Sequence, residues 1–429
     1  RKVKCGECPN QAYATLADRA VADHLQGRHV IGVYPLLPDE TCWFLAVDFD
    51  KHAWTEDVAA FRATCHALEV PIAIERSRSG NGAHAWFFFG APIAAGTARK
   101  LGCHLLTEAM ARRHQTKLDS YDRLFPNQDT MPKGGYGNLI ALPLQGEARR
   151  HGNSVFVDEA MVPYPDQWAY LAACEPLSAE RIEQLVLQAE RRDQVLGVRM
   201  AVTEDDPTPW VRRPTPRRPR LTGPLPESLD VVLANGLFVA KEGLPSSLMN
   251  QLVRLAAFQN PEFYKKQAMR MSTVGTPRVL TCAEEHSHHL ALPRGCLPEL
   301  EALCHEHGMA LRLEDKRDGG VALDLAFQGE LTTLQHLAAE TLLANDFGVF
   351  VAPPGAGKTV VGVHAIAARR CSTLVLVDRK PLLEQWRKQL AQFLGLPLKD
   401  IGQIGGGKHR PTGRIDVAML QSLSRRKDD

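Results

Sequence analysis

Between positions 42 and 50 the stretch "CWFLAVDFD" alternates as a β-strand does, with Trp43, Leu45, Val47 and Phe49 on one face and Asp48 and Asp50 on the other. "TEDVAAFRATCHALEV" follows, opening on Thr55 as a cap, with acids in its first turn and an apolar stripe of Val58, Phe61, Cys65 and Leu68, which predicts a helix. "PIAIE" and "AHAWFFF" read as two strands joined by the polar loop "RSRSGNG", and "GTARKLGCHLLTEAMARRH" as a second helix. A β-α-β-β-α order of this kind predicts an α+β layer, an antiparallel or mixed sheet with its helices on one face.

The pattern breaks at "TEDDPTPWVRRPTPRRPRLTGPLPES" (203–228), where recurrent prolines exclude helix and central strand. We read it as an extended linker whose Arg212, Arg213, Arg217, Arg218 and Arg220 are also able to touch phosphates, although a solvated basic spacer accounts for them as well. Helical and short-strand signals resume from 229. From about Leu331 the rhythm becomes helix, strand, Gly-rich loop, helix, strand, which is α/β. The expected organisation is therefore an N-terminal segment (1–30), an α+β domain (31–202), the linker (203–228), an accessory region (229–330) and an α/β domain (331–429).

Composition narrows the classes. Hydrophobic residues make up 44% of 429, enough for real cores, and a formal charge of +2 gives no global field, so nucleic-acid contacts must come from local basic clusters. No apolar run reaches the roughly 20 residues that span a bilayer, and ten scattered cysteines do not form a secreted disulfide framework. These features imply a cytoplasmic protein with no membrane partner. Beginning at Arg1 rather than Met, the sequence also reads as a fragment or a processed form.

Two like charges projecting together from a strand repel unless a cation sits between them, and an oxygen-preferring divalent metal is the usual solution. Asp48 and Asp50 are such a pair, the alternative being a strand that ends with its acids in water. In the loop that precedes His84, the amides, Arg76, Ser77, Arg78, Ser79, Gly80 and Gly82 offer donors and close backbone approach to an anion. A buried, hydrogen-bonded histidine is the competing reading of His84. Taken together, the pair and the loop suit a nucleoside triphosphate beside metal ions.

The stretches "GVYPLLPDETCWFLAVDFD", "SRSGNGAHAWFFF" and "YDRLFPNQDTMPKGGYGNLIALPLQ" resemble the archaeo-eukaryotic primase superfamily, in particular the primase-polymerase domain of TOTE conflict systems, which precedes a superfamily 2 helicase on the same chain. The resemblance implies an RRM-like core, magnesium or manganese held by Asp48, Asp50 and a third acid, and His84 on the triphosphate. Asp122 fits the hydrophobic-Asp form of that third acid best, with Asp129 and then Asp119 as alternatives. Lys133 would lie near the incoming nucleotide. Implied partners are single-stranded or template-primer DNA, an RNA primer among the options, together with NTP or dNTP.

At the N-terminus Cys5, Cys8, His24 and His29 form C-x2-C-x15-H-x4-H, close to the spacing of a structural zinc site. The later cluster of Cys282, His286, His288, His289, Cys296, Cys304, His305 and His307 matches no regular finger and reads as structural.

"FGVFVAPPGAGKTVVGVHAIA" is a strand, a Gly-rich loop and a helix, in which Pro354, Gly355, Ala356 and Gly357 would cradle ATP phosphates, Lys358 reach the terminal ones and Thr359 ligate magnesium. The segments after it look like those of superfamily 2 helicases: Arg379 and Gln385, then Gln421 and Ser422, would touch nucleic acid, and Gln335 would read adenine. This implies an incomplete RecA-like domain, which binds ATP but neither hydrolyses it briskly nor unwinds DNA without the remaining motifs. The expected function is a metal-dependent primase-polymerase fused to a helicase motor, serving replication or defence of a mobile element. The alternatives are a catalytically inactive nucleic-acid-binding adaptor and a nuclease.

Overall fold

The computed structural model describes residues 17–424, apart from 51–52, 114–117, 192–194, 197, 201–220 and 222–223. Two compact units emerge, Arg1–Val231 with Phe238–Arg312, and Val232–Leu237 with Leu313–Asp429. Residues 229–330, expected as one accessory region, are thus shared between the two.

The first unit is built on β1 (Thr41–Phe49), α1 (Trp54–Ala67), β2 (Ala73–Arg76), β3 (Ala83–Ala94), α2 (Ala95–Arg112), β4 (Leu124–Phe125) and β5 (Val155–Phe156). The strands form one antiparallel sheet of order β4-β1-β3-β2-β5. Leu45, Val47 and Phe49 of β1 and Ala85 and Phe87 of β3 face the helices and bury Val58, Phe61, Cys65, Leu101 and Leu105. Burying each large side chain of this kind contributes about 1.5–3 kcal/mol. The other sheet face carries Ala46, Trp86 and Phe156 and is covered by Ile140 and Leu144.

Two local expectations change. Trp43 does not join the inward row: a register shift between Cys42 and Phe44 turns fully buried Cys42 inward and leaves Trp43 51% exposed. Thr55 is not the cap of α1, which begins at Trp54 with no side-chain cap, and its hydroxyl instead donates to Glu56.

Residues beyond the linker continue this unit. β6 (Arg199–Met200) precedes the linker; α3 (Ser246–Leu255), β7 (Ala257–Gln259), α4 (Pro261–Ala268) and β8 (Val279–Thr281) follow it, and β8 and β7 form a second sheet with β6 in the order β8-β7-β6. Ala257 and Val279 belong to the same core as the main sheet. The buried Arg254 guanidinium donates to the Tyr121 hydroxyl at 2.8 Å, and Tyr121 in turn bonds Thr107 of α2 at 2.7 Å.

The second unit contains α5 (Thr333–Leu343), α6 (Lys358–Arg369), β9 (Thr373–Val377), α7 (Lys380–Leu394), β10 (Gly402–Gly405), β11 (Lys408–Arg410) and β12 (Ile415–Met419). Its sheet has the order β9-β12-β10-β11, with β9 and β10 parallel to β12. Val363, Leu383, Leu390 and Val417 share its core with Leu323 and Leu325. The strand expected before the Gly-rich loop is not formed. Val349 and Val351 are each 86% exposed and belong to no strand, and no described strand lies along the open edge of β9.

Candidate active site

Strand register creates the site. Asp48 of β1 lies opposite His84 of β3, and His84 lies opposite Glu75 of β2, so three ionisable side chains form one row across the sheet. Nε2 of His84 is 3.7 Å from Asp48 Oδ1, and its Nδ1 is 2.9 Å from Glu75 Oε2. Glu75, only 2% exposed, also accepts from Trp86 Nε1 at 3.0 Å and from the Ser154 hydroxyl at 3.3 Å. With Nδ1–H donated to Glu75, Nε2 is the nitrogen presented toward Asp48. Burial alone would lower the His84 pKa, but the Glu75 hydrogen bond and the charges of Glu75 and Asp48 outweigh it and raise it.

Arg123 completes the group. The β1–β4 register pairs Val47 with Leu124, and the Asp48 N–H donates to the Arg123 carbonyl at 3.1 Å, so Arg123 is the next neighbour of Asp48. Its guanidinium donates to Asp50 Oδ1 and lies 3.8 Å from Asp48 Oδ2. Burial raises the Asp48 pKa and Asp50 adds to it, against the lowering effects of His84 and Arg123. A positive group therefore sits where the sequence calls for a cation.

The third acid does not join the pair. Asp122 turns to β8 and accepts the Arg278 N–H at 2.7 Å, and burial pushes its carboxyl up to about 6. Asp129 is taken by Arg99, whose Nη2 donates to its Oδ2 at 2.7 Å and whose Nε donates to Oδ1, and by Gln267 at 2.9 Å. Asp119 is exposed. Among the described residues no three His, Cys, Asp or Glu side chains gather in metal-binding geometry.

The hairpin is partly self-satisfied. The Ser77 amide donates to the Gly82 carbonyl at 2.9 Å and the Gly80 amide to Ser77 at 3.0 Å, while the Ser77 and Ser79 hydroxyls lie 3.1 Å apart. Arg76 is not free for phosphate, because its fork donates to the carbonyls of Gly152 and Met161. Arg78 is exposed at the tip. Gly82 is required by its own strand pairing rather than by a ligand, since a Cβ there would stand 2.5 Å from the Phe49 carbonyl oxygen.

In the second unit Gly357 takes φ +80° and caps α6, and Lys358 Nζ donates to the Ala352 and Pro353 carbonyls at 2.7 and 2.9 Å. Pro354 and Gly355 are exposed, with Ala356 and Thr359 half-buried beside them. Gln335 makes a capping box with Thr332 and donates to the Ala356 carbonyl at 3.1 Å, tying α5 to the loop. β9 and β12 run parallel and end together at Val377 and Met419. The segments of Arg379 and Gln421 therefore leave one sheet edge side by side, with Gln421 Nε2 donating to the Asp378 carbonyl at 2.8 Å. Ser422 is half-buried near Gly405, and Gln385 is exposed on α7.

Residues 1–185 match the family described as "TOTE conflict system, Archaeo-Eukaryotic Primase domain". The N-terminal domain is a TOTE-type primase domain. Residues 328–429 match the family described as "Type III restriction enzyme, res subunit", so a helicase-like domain follows the primase domain. The chain is 34% identical over 97 residues to the DNA 3'-5' helicase XPB of Mycobacterium tuberculosis, covering 23% of this chain and 18% of that protein. It is 39% identical over 109 residues to the XPB of Kineococcus radiotolerans, covering 25% and 19%. The chain thus spans about a fifth of the length of the curated relatives it matches. Among solved structures, the UvsW helicase from Bacteriophage T4 matches with a TM-score of 0.33 at 13% identity, covering 46% of this chain and 77% of that one.

Within the primase domain, sequence reasoning missed Glu75 and Arg123. Glu75 ends the apolar run "PIAIE", an acid where a strand is buried, and that was its only signal. The zinc expectation changes at His24. This histidine is buried, its Nδ1 accepts the Ile31 N–H at 3.2 Å and its Nε2 lies 3.0 Å from the Pro143 carbonyl, so both ring nitrogens are used inside the fold. His29 is exposed, and Cys5 and Cys8 lie outside the described residues, as do the linker arginines from Arg212 to Arg220.

Proposed function

We propose that the primase domain is a primase-polymerase, transferring nucleotides from NTP or dNTP to a growing strand on a DNA template, and that in the whole protein it works with an ATP-driven helicase motor. One observation carries this reading: Asp48 stands directly across the strand pair from His84, and Asp50, just past the end of β1, shares the Arg123 guanidinium with it. The donors fit a hard divalent cation, magnesium or manganese, because both are carboxylates and a cationic group already lies between them. When bound, such an ion would activate the attacking 3′-hydroxyl and neutralise the phosphates. As an imidazolium, with its Nδ1–H held by Glu75, His84 would donate its Nε2–H to a triphosphate oxygen, with Arg78 adding charge from the hairpin tip. Asp122 is not needed for this assignment.

In the helicase-like domain, Lys358 and Thr359 would bind the ATP phosphates and their magnesium, Gln335 would face the adenine, and Arg379, Gln385, Gln421 and Ser422 would contact the DNA strand. A role in replication or defence of a mobile element accords with the TOTE family description.

A second reading, a catalytically silent nucleic-acid adaptor, draws support from the absence of a third carboxylate beside the pair among the described residues. Incubation with a primed template, nucleotides and manganese separates the two. A polymerase extends the primer and loses that activity in Asp48→Ala and Asp50→Ala, whereas an adaptor gives no product in any form.

A further inference from the structure

Asp48 is flanked on both sides. Its Oδ1 faces His84 Nε2 and its Oδ2 faces the Arg123 guanidinium, which reaches on to Asp50. Arg123 is anchored there by its backbone, since the Asp48 N–H bonds its carbonyl at the end of the β1–β4 ladder. Its side chain is 25% exposed, against 54% for Asp50, so it is the more buried partner of that pair.

A divalent ion at this pair would compete with the guanidinium for Asp50 Oδ1 and Asp48 Oδ2, and the two positive charges, brought within a few ångströms, repel. That repulsion favours moving the guanidinium off the acids, while the Asp48 N–H bond to its carbonyl keeps its main chain beside them. The ion arrives with a triphosphate, and a planar fork of N–H donors matches phosphate oxygens better than any other side chain does.

We propose that Arg123 is an exchangeable counter-cation: it neutralises Asp48 and Asp50 in the metal-free protein and moves to the triphosphate when the metal–nucleotide complex binds. It is a positioning residue for the acids and a binding residue for the nucleotide. The proposal rests on the polymerase reading above and deepens it.

The test uses the whole chain in a Lys358→Ala background, which removes nucleotide binding at the Gly-rich loop. Binding of Mn²⁺ alone is followed by electron paramagnetic resonance, and binding of dCTP in saturating Mn²⁺ by calorimetry. Arg123→Gln is expected to bind Mn²⁺ about tenfold more tightly, because a competing charge is gone, and dCTP about tenfold more weakly. Arg123→Lys, which keeps the charge without the fork, is expected to bind Mn²⁺ as the parent does and dCTP at an intermediate level; it also serves if Arg123→Gln fails to fold. Unchanged or weaker Mn²⁺ binding in Arg123→Gln, or unchanged dCTP binding in both variants, overturns the proposal. Failure of the polymerase reading looks different: the parent would bind no Mn²⁺ in a manner sensitive to Asp48→Asn.

Discussion

Glu75 and His84 face each other across β2 and β3, and the buried carboxylate takes the imidazole Nδ1–H while also accepting from Trp86 and Ser154. One carboxylate therefore holds the Nδ1–H and fixes the ring orientation of the histidine whose Nε2 faces Asp48. Glu75→Gln keeps the shape but replaces one acceptor oxygen by an NH₂ group, which meets either the Ser154 hydroxyl at the Oε1 position or the His84 and Trp86 N–H groups at the Oε2 position. We expect nucleotide turnover to fall by about tenfold to a hundredfold, as for other buried carboxylates that orient a functional histidine. Stability should drop by about 1–3 kcal/mol. Steady-state kinetics beside urea denaturation checks this, and wild-type turnover in a folded Glu75→Gln protein would remove Glu75 from the site.

Gly82 sits where β3 meets β1, and the space a methyl group would need holds the Phe49 carbonyl 2.5 Å away, with the Asp50 Cα at 3.2 Å. Backbone on one side and strand pairing on the other leave no soft neighbour to yield. Gly82→Ala is expected to destabilise the first unit by about 1–3 kcal/mol and to reduce primer extension, because the displaced strands are those that align Asp48 with His84. Denaturation midpoints and extension assays read both effects; a neutral substitution would mean that the hairpin tolerates a wider separation than its pairing implies.

Alternation alone made the place of Asp48 on its strand and the β-α-β-β-α order legible, because period-two patterning and an apolar stripe at helical spacing are local signals. Trp43 was misread since a β-bulge, which no local pattern marks, reverses the alternation before Phe44. Arg76 and Asp129 look like ligands in sequence, yet their partners lie far along the chain, Met161 for one and Arg99 with Gln267 for the other. Glu75 and Arg123 escaped notice for the same reason: what gives them a role is a cross-strand neighbour. The Pro/Arg-rich stretch is a compositional break, but α3, α4 and β8 after it pack back on the primase core through Arg254, Gln267 and Arg278, contacts that composition does not predict.

Arg99 and Asp129 form a two-point ion pair on the inner side of α2, with the arginine side chain only 6% exposed. Burial would raise the Asp129 pKa, but the hydrogen bond and charge of Arg99, helped by Arg278 and Gln267, hold it below the usual carboxylate value. A folded pKa below the unfolded one, about 3.9, contributes stability that is complete above the unfolded value and lost as pH falls through the folded one. Asp129→Asn should therefore cost about 3–5 kcal/mol at neutral pH, since it strands a buried guanidinium. The gap to wild type should hold down to about pH 4 and close below it. Urea denaturation across pH measures the gap; if it were already closed at pH 6, the pair would not be the source.

Gln335 links the α5 terminus to the Gly-rich loop proposed to bind ATP. Its Oε1 accepts the Thr332 N–H at 3.0 Å, its own N–H bonds the Thr332 hydroxyl at 3.4 Å, and its Nε2 holds the Ala356 carbonyl at 3.1 Å, inside the loop that ends at Lys358. Removing the side chain leaves the Thr332 cap on the Gln335 backbone N–H in place but loses the reciprocal bond to the Thr332 N–H, worth about 0.5–1.5 kcal/mol, and releases the loop from that helix. Gln335→Ala is expected to weaken binding of magnesium-ATP severalfold, and Lys358→Ala to abolish it, as read by calorimetry on the whole chain. The comparison with GTP separates the two roles open to Gln335. If it reads adenine, the variant loses its preference for ATP over GTP; if it acts only through the loop, both nucleotides weaken alike, and unchanged affinity for both would leave it a helix cap with no part in the nucleotide site.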